Sequence, residues 1–216
     1  MSDRMALRSG GIAGIVYILL AFGAVTFASG SRLGEFLLQL SAVPGLWWVV
    51  ALSGYLRKRE GGMGGLSTLF LIGYLVSGAV FYLQTANNAM LAARPPSSAA
   101  TVTYLNDVDS FIGIASYFPL ATALIGAGLS MLTSGAMPRW IGALALAAAV
   151  GQLLITLPII VDSNLFTDSG PVFAVAQLVL VVWLLSVAIA MLLKSSGRMA
   201  PARDSGSEPT SRSPGT

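Results

Sequence analysis

The sequence predicts an all-α polytopic membrane protein, a bundle of six transmembrane helices with both termini inside. Three observations lead to this prediction: the composition, the number of apolar runs and the placement of the basic residues. Of the 216 residues, 55% are hydrophobic and 10% are charged, whereas a soluble domain carries about 25% charged residues. This apolar surface exceeds what a water-soluble core could bury, so lipid is the expected solvent for most of the chain.

Six apolar runs, each about 20 residues long, match the length that a helix needs to cross a hydrocarbon core of roughly 30 Å. They cover about residues 10–29, 36–55, 66–85, 111–132, 140–161 and 172–193 of a transmembrane domain over residues 1–194. The first run is longer than the apolar core of a usual signal peptide, which favours a true span. Residues 195–216 are rich in Ser, Gly, Pro and Arg without an apolar period, which predicts a disordered cytoplasmic tail.

Small residues recur at four-residue spacing within several runs, a pattern typical of closely packed transmembrane helices. The first run carries one such pair, and the fourth and fifth runs each carry a stripe that we expect to pack against the other. These positions are Gly10 and Gly14, then Thr122, Gly126 and Ser130, and then Ala143, Ala147 and Gly151.

Proline and tryptophan mark two further features. Pro44 predicts a kink in the second run. Trp47 and Trp48 follow it, and packing between helices is favoured for them over a ligand-stacking role. Pro171 after Gly170 predicts the first residue of the sixth helix.

Basic residues indicate the orientation. With the N-terminus inside, ten of the twelve lysines and arginines fall in inner segments, and only Arg32 and Arg94 fall in outer ones. The positive-inside rule therefore places both termini in the cytoplasm. This distribution also explains the net charge of +3 and the pI near 9.5 without a nucleic-acid partner.

The longest polar interruption, residues 84–110, separates the first three apolar runs from the last three. It is expected to be a loop outside the membrane. Asn106, Asp107, Asp109 and Ser110 are suited to cap the following helix. Because one residue occupies a cap, a second carboxylate such as Asp109 is available for another role.

Polar side chains near the outer ends or the middles of the third to sixth runs suggest a pocket that opens to the outer face. Its candidate residues are Gln84, Asn87, Asn88, Asp109, Gln152, Asp162 and Gln177. Binding or transport of a small solute is one hypothesis. The alternative is a non-catalytic scaffold or accessory subunit that acts through helix packing, with a membrane-protein partner or by self-association.

An enzyme is the least favoured class. Without histidine and cysteine, the chain can form no thiolate or histidine metal site and no Ser-His-Asp triad. Asp107 and Asp109 could hold a cation only with further ligands. We therefore expect no metal and no cofactor.

Residues 134–141 read Ser-Gly-Ala-Met-Pro-Arg-Trp-Ile, and residues 11–17 read Gly-Ile-Ala-Gly-Ile-Val-Tyr. In these segments, and in residues 177–185, the chain resembles a family of small bacterial six-helix integral-membrane proteins that is defined only as a domain of unknown function. The resemblance implies a six-helix fold in the bacterial inner (plasma) membrane and no particular activity. Gln177 stands where members often carry an acid, which weakens any role of the sixth run as a proton carrier.

Overall fold

The computed structural model describes residues 3–28, 31–61, 64–94, 97–159 and 170–197. Their helices are α1 (Asp3–Ala28), α2 (Arg32–Arg59), α3 (Gly65–Ala93), α4 (Ala99–Ser134), α5 (Arg139–Ile155) and α6 (Pro171–Ser195), with a 3₁₀ turn over Leu157–Ile159. Five of them, all except α5, are long and apolar enough to cross a membrane. The predicted helical, membrane-type architecture is confirmed at this level.

The helices form a closed ring in sequence order. Each helix packs against its neighbours along the chain, and α6 also packs against α1. We call the end of the bundle at which α3 ends and α4 begins the polar end. The opposite end carries Arg57, Lys58, Arg59 and Arg139, and we call it the basic end.

Helix boundaries follow local chemistry. The Ser31 side chain accepts a hydrogen bond of 3.0 Å from the Gly34 N–H and so caps α2. Gly135 ends α4 with a φ of +62°, a left-handed conformation that glycine adopts without steric cost. The sixth helix begins at Pro171 after Gly170, which confirms that prediction.

The central polar stretch is not a long loop, and the prediction of one is wrong. α3 continues to Ala93, and α4 begins at Ala99 after Ser98. The proposed caps at residues 106–110 therefore lie inside α4, about seven or more residues from its start. Residues 99–105 contain no proline or glycine to break a helix. Both helices thus extend beyond their apolar runs and carry polar side chains with them.

The fifth helix is shorter than expected. The sequence predicts it over about residues 140–161, but α5 ends at Ile155, and the following turn contains Pro158. Proline provides no backbone N–H and disfavours α-helical geometry in the residue before it, which accounts for the early end.

The predicted packing of the two small-residue stripes against each other is wrong. Gly126 faces α3, since a Cβ added there would lie 2.7 Å from the Leu66 carbonyl oxygen. Gly151 faces Ala176 of α6, while Thr122, Ala143 and Ala147 are exposed. A strict four-residue period drifts around a helix of 3.6 residues per turn, so such a stripe need not keep one partner.

Instead, α4 and α5 meet at Gly128 and Gly142. A Cβ added to Gly128 would lie 2.9 Å from the Gly142 carbonyl oxygen, and one added to Gly142 would lie 3.0 Å from the Gly128 carbonyl oxygen. Gly10 and Gly14 lie against Ala51 and Trp48 of α2. Close approach of helices at small residues thus occurs at Gly10 and Gly14, as expected, and at Gly128 and Gly142 in place of the two stripes.

An aromatic cluster fills the centre of the ring. Trp48 packs edge-on against Phe70, Tyr74 and Trp183, with ring centroids 6.3, 5.8 and 5.9 Å away. The expected packing role is therefore confirmed for Trp48, whereas Trp47 is 50% exposed. α2 continues on both sides of Pro44, and the kink there stays a prediction.

Candidate functional site at the polar end

Asp109 joins α3 to α4 at the polar end. The Gln84 amide donates hydrogen bonds to the Asp109 carboxylate (3.0 Å to Oδ2) and to its backbone carbonyl (3.2 Å). The Asn87 amide donates to the other carboxylate oxygen, Oδ1, at 3.2 Å. Gln84 and Asn87 are three residues apart and share one face of α3. One carboxylate thus holds two amide side chains in fixed orientations.

Gly113 makes this contact possible. It lies four residues after Asp109, on the same face of α4, directly against the Gln84 side chain. A Cβ at position 113 would lie 2.7 Å from Gln84 Nε2, closer than real Cβ atoms come. The small residue therefore leaves room for the amide to reach Asp109.

Glu35 brings a second carboxylate to the same end. It lies in the first turn of α2, before the apolar run 36–55. Its Oε2 atom is buried and has no hydrogen-bond partner among the described residues. Burial raises the pKa of Glu35, and the negative charge of Asp109 raises it further. We call Glu35, Gln84, Asn87 and Asp109 the polar-end cluster.

Replacing Glu35 by glutamine is expected to stabilise the protein at about pH 7. The raised pKa means that the folded protein favours the neutral form of Glu35. Wild-type stability is therefore highest below the pKa of Glu35 in the unfolded chain, and it falls as the pH rises through the pKa in the folded protein. Glu35→Gln stays neutral, so its melting temperature should exceed that of the wild type near neutral pH and match it at about pH 4.

Thermal unfolding in lipid nanodiscs at several pH values measures this difference. Asp107→Asn, which also removes one carboxylate, but an exposed one near the cluster, is the matched control. A Glu35→Gln profile parallel to that of the wild type would contradict the assignment.

The remaining predicted pocket residues lie apart from this cluster or outside the described part. Asn88 and Gln177 are half-buried, and no hydrogen bond joins either of them to the cluster among the described residues. Gln152 is fully buried within the bundle. Asp162 lies outside the described residues. The structure therefore brings together Gln84, Asn87 and Asp109 of the seven.

Glu35 was missed as a site residue. The predicted pocket drew its residues from the third to sixth runs, so an acid at the start of the second run was left out. The available signal was an acid directly before an apolar run, at the end of the bundle where the other polar residues gather. Its electrostatic interaction with Asp109 depends on how α2 packs in the ring, which the sequence does not specify.

A separate network ties the helices together at the basic end. Glu60 accepts hydrogen bonds from Ser67 of α3 (3.2 Å) and from Ser130 of α4. Lys194 of α6 donates to the Ala136 carbonyl at 2.5 Å and to the Tyr55 hydroxyl at 3.2 Å. These bonds join four helices and the α4–α5 turn, which makes their role structural.

In the described part of the chain, no group of three or more acidic, histidine or cysteine side chains comes together. No family model, curated protein or solved structure matches this sequence. The family resemblance in the turn around Pro138 therefore stays a prediction.

Proposed function

We propose that this chain is a six-span protein of the bacterial plasma membrane, with both termini in the cytoplasm. Five helices with the required length and hydropathy support membrane insertion. α5 has 17 residues, the lower limit for a span. The cluster of Arg57, Lys58, Arg59 and Arg139 at the basic end supports a cytoplasmic position for that end. The polar end then faces outside.

We further propose that the protein binds, and in a transport cycle moves, a small polar solute through the polar-end cluster. The observation that carries this proposal is the hydrogen-bonded group of Gln84, Asn87 and Asp109 between α3 and α4. Glu35 of α2 adds a buried Oε2 atom that is unpartnered among the described residues, and the charge of Asp109 acts on it. With two acids and no basic side chain among its four members, the cluster favours a solute that carries hydrogen-bond donors.

A ligand screen with a matched pair of variants tests this function. The melting temperature of the protein in nanodiscs would be measured with choline, putrescine, glycine and glycerol, since a ligand that binds the folded state raises it. For a probe that binds, Asp109→Asn should weaken binding by about tenfold or more, because it removes a charged hydrogen-bond acceptor.

Asp107→Asn, an exposed position two residues away, should leave the affinity unchanged. Equal affinities for the wild type and Asp109→Asn would exclude the cluster as the binding site. Circular dichroism of both variants controls for loss of helical structure.

A scaffold function is the second candidate, and the surface of α5 and α6 supports it. The small residues Ala143 and Ala147 are exposed, and Ala147 and Gly151 line an apolar groove of about 400 Å³ against α6. Small residues on a lipid-facing surface allow another helix to approach. If this face self-associates, Ala147→Leu should shift the protein from dimer to monomer in mild detergent. A wild type that is monomeric at all concentrations would count against self-association.

A further inference from the structure

Gln152 is the most deeply buried amide in the described part of the chain. Its exposed fraction is 0%, and neither Nε2 nor Oε1 has a hydrogen-bond partner among the described residues. It lies on the inward face of α5, together with Ala145, Ala148 and Ala149, all buried. Gln152 is thus the one polar side chain among the buried residues of α5.

Two close helix contacts locate this side chain along the bundle. Gly142 of α5 meets Gly128 of α4, and the two helices run antiparallel, so Gln152 lies level with about residue 118. Gly151, its neighbour, lies against Ala176 of α6. Asp109 is about nine residues nearer the polar end of α4, or roughly 13 Å along the helix axis. Gln152 thus lies deeper in the bundle than the polar-end cluster.

The surroundings at this level are uncharged. Residues 115–121 of α4, 149–155 of α5 and 173–180 of α6 contain no acidic or basic side chain. A charged molecule placed there would lose its hydration without gaining a counter-charge. An occupant must therefore be neutral.

Buried amides in folded proteins nearly always have hydrogen-bond partners, and an unpaired one is costly in a dry interior. We propose that Gln152 holds a small neutral molecule that both donates and accepts hydrogen bonds, the smallest being a water molecule. Such a molecule would pair with both ends of the amide. This site is separate from the polar-end cluster and does not depend on the function proposed for it.

Substitution of Gln152 by methionine tests the proposal through the sign of the stability change. The two side chains have similar length, so the variant removes the hydrogen bonds with little change in volume. If the amide is paired with an occupant, Gln152→Met should lower the melting temperature in nanodiscs by several degrees. If the amide is unpaired, its removal should raise the melting temperature, and the proposal would be overturned. Ile155→Leu, on the same buried face, measures the cost of repacking alone.

Formamide distinguishes the two sources of this chemistry. The melting temperatures of the wild type and of Gln152→Met would be compared at equal formamide concentrations. If formamide raises the melting temperature of the wild type relative to that of the variant, the occupant is a small polar solute. Equal responses, together with a less stable methionine variant, would identify water.

A density map of the wild-type protein in nanodiscs gives an independent result even if the methionine variant fails to fold. Non-protein density within hydrogen-bonding distance of the Gln152 amide is expected. An amide bonded to another residue of this chain, or one with no neighbour at all, would overturn the proposal.

Discussion

Replacement of Trp48 by alanine is expected to destabilise the protein by about 3–5 kcal/mol, the usual cost of removing a large aromatic side chain from a core. Trp48 is 1% exposed and contacts aromatic rings of both α3 and α6. It therefore joins three helices across the ring. Its removal would leave a cavity and remove packing contacts between these helices. Lipid outside the bundle could not replace those contacts.

The adjacent Trp47 offers a matched control. It is 50% exposed and donates a 3.2 Å hydrogen bond to Ser9. Trp47→Ala should therefore cost far less, about 1 kcal/mol for the lost bond. Thermal or denaturant unfolding of both variants in nanodiscs measures the difference. Equal losses would mean that the core does not lie where Trp48 packs.

A side chain at Gly126 is expected to separate α3 from α4. A Cβ there would lie 2.7 Å from the Leu66 carbonyl oxygen and 2.8 Å from the Phe70 backbone nitrogen. Both atoms belong to the backbone and cannot move by a rotamer change. Gly126→Val should therefore cost about 1–3 kcal/mol or more through overpacking.

Gly54→Ala serves as the opposite case. No atom lies within 4 Å of a Cβ built at Gly54, which is inside α2. Alanine is the better helix former there, so this variant should be up to about 1 kcal/mol more stable than the wild type. If Gly126→Val were as stable as Gly54→Ala, the close α3–α4 contact would be contradicted.

Much of the fold could be predicted from composition and apolar periodicity, because lipid requires long continuous helices. The start of α6 at Pro171 was predictable because proline has a fixed backbone geometry. The end of α3 and the start of α4 could not be predicted in this way, since hydropathy indicates which residues suit lipid and not where a helix ends. Residues 99–110 are polar yet helical.

The candidate site was only partly predictable for a related reason. Polarity singled out Gln84, Asn87 and Asp109, and the structure joins them by hydrogen bonds. Glu35 and the contacts of Gly126 depend on which helix faces which, and a pattern of small residues does not identify its partner. Only the packed ring supplies that information.

The proposed position of the polar-end cluster at the outer face of the membrane is tested most directly by cysteine labelling in intact cells. The chain contains no cysteine, so single introduced cysteines report without background. Asp107→Cys, exposed beside the cluster, should react with a membrane-impermeant maleimide added to intact cells. Arg139→Cys, exposed at the basic end, should react only after the cells are permeabilised. The reverse pattern would place the cluster in the cytoplasm and contradict the proposed site for an external solute.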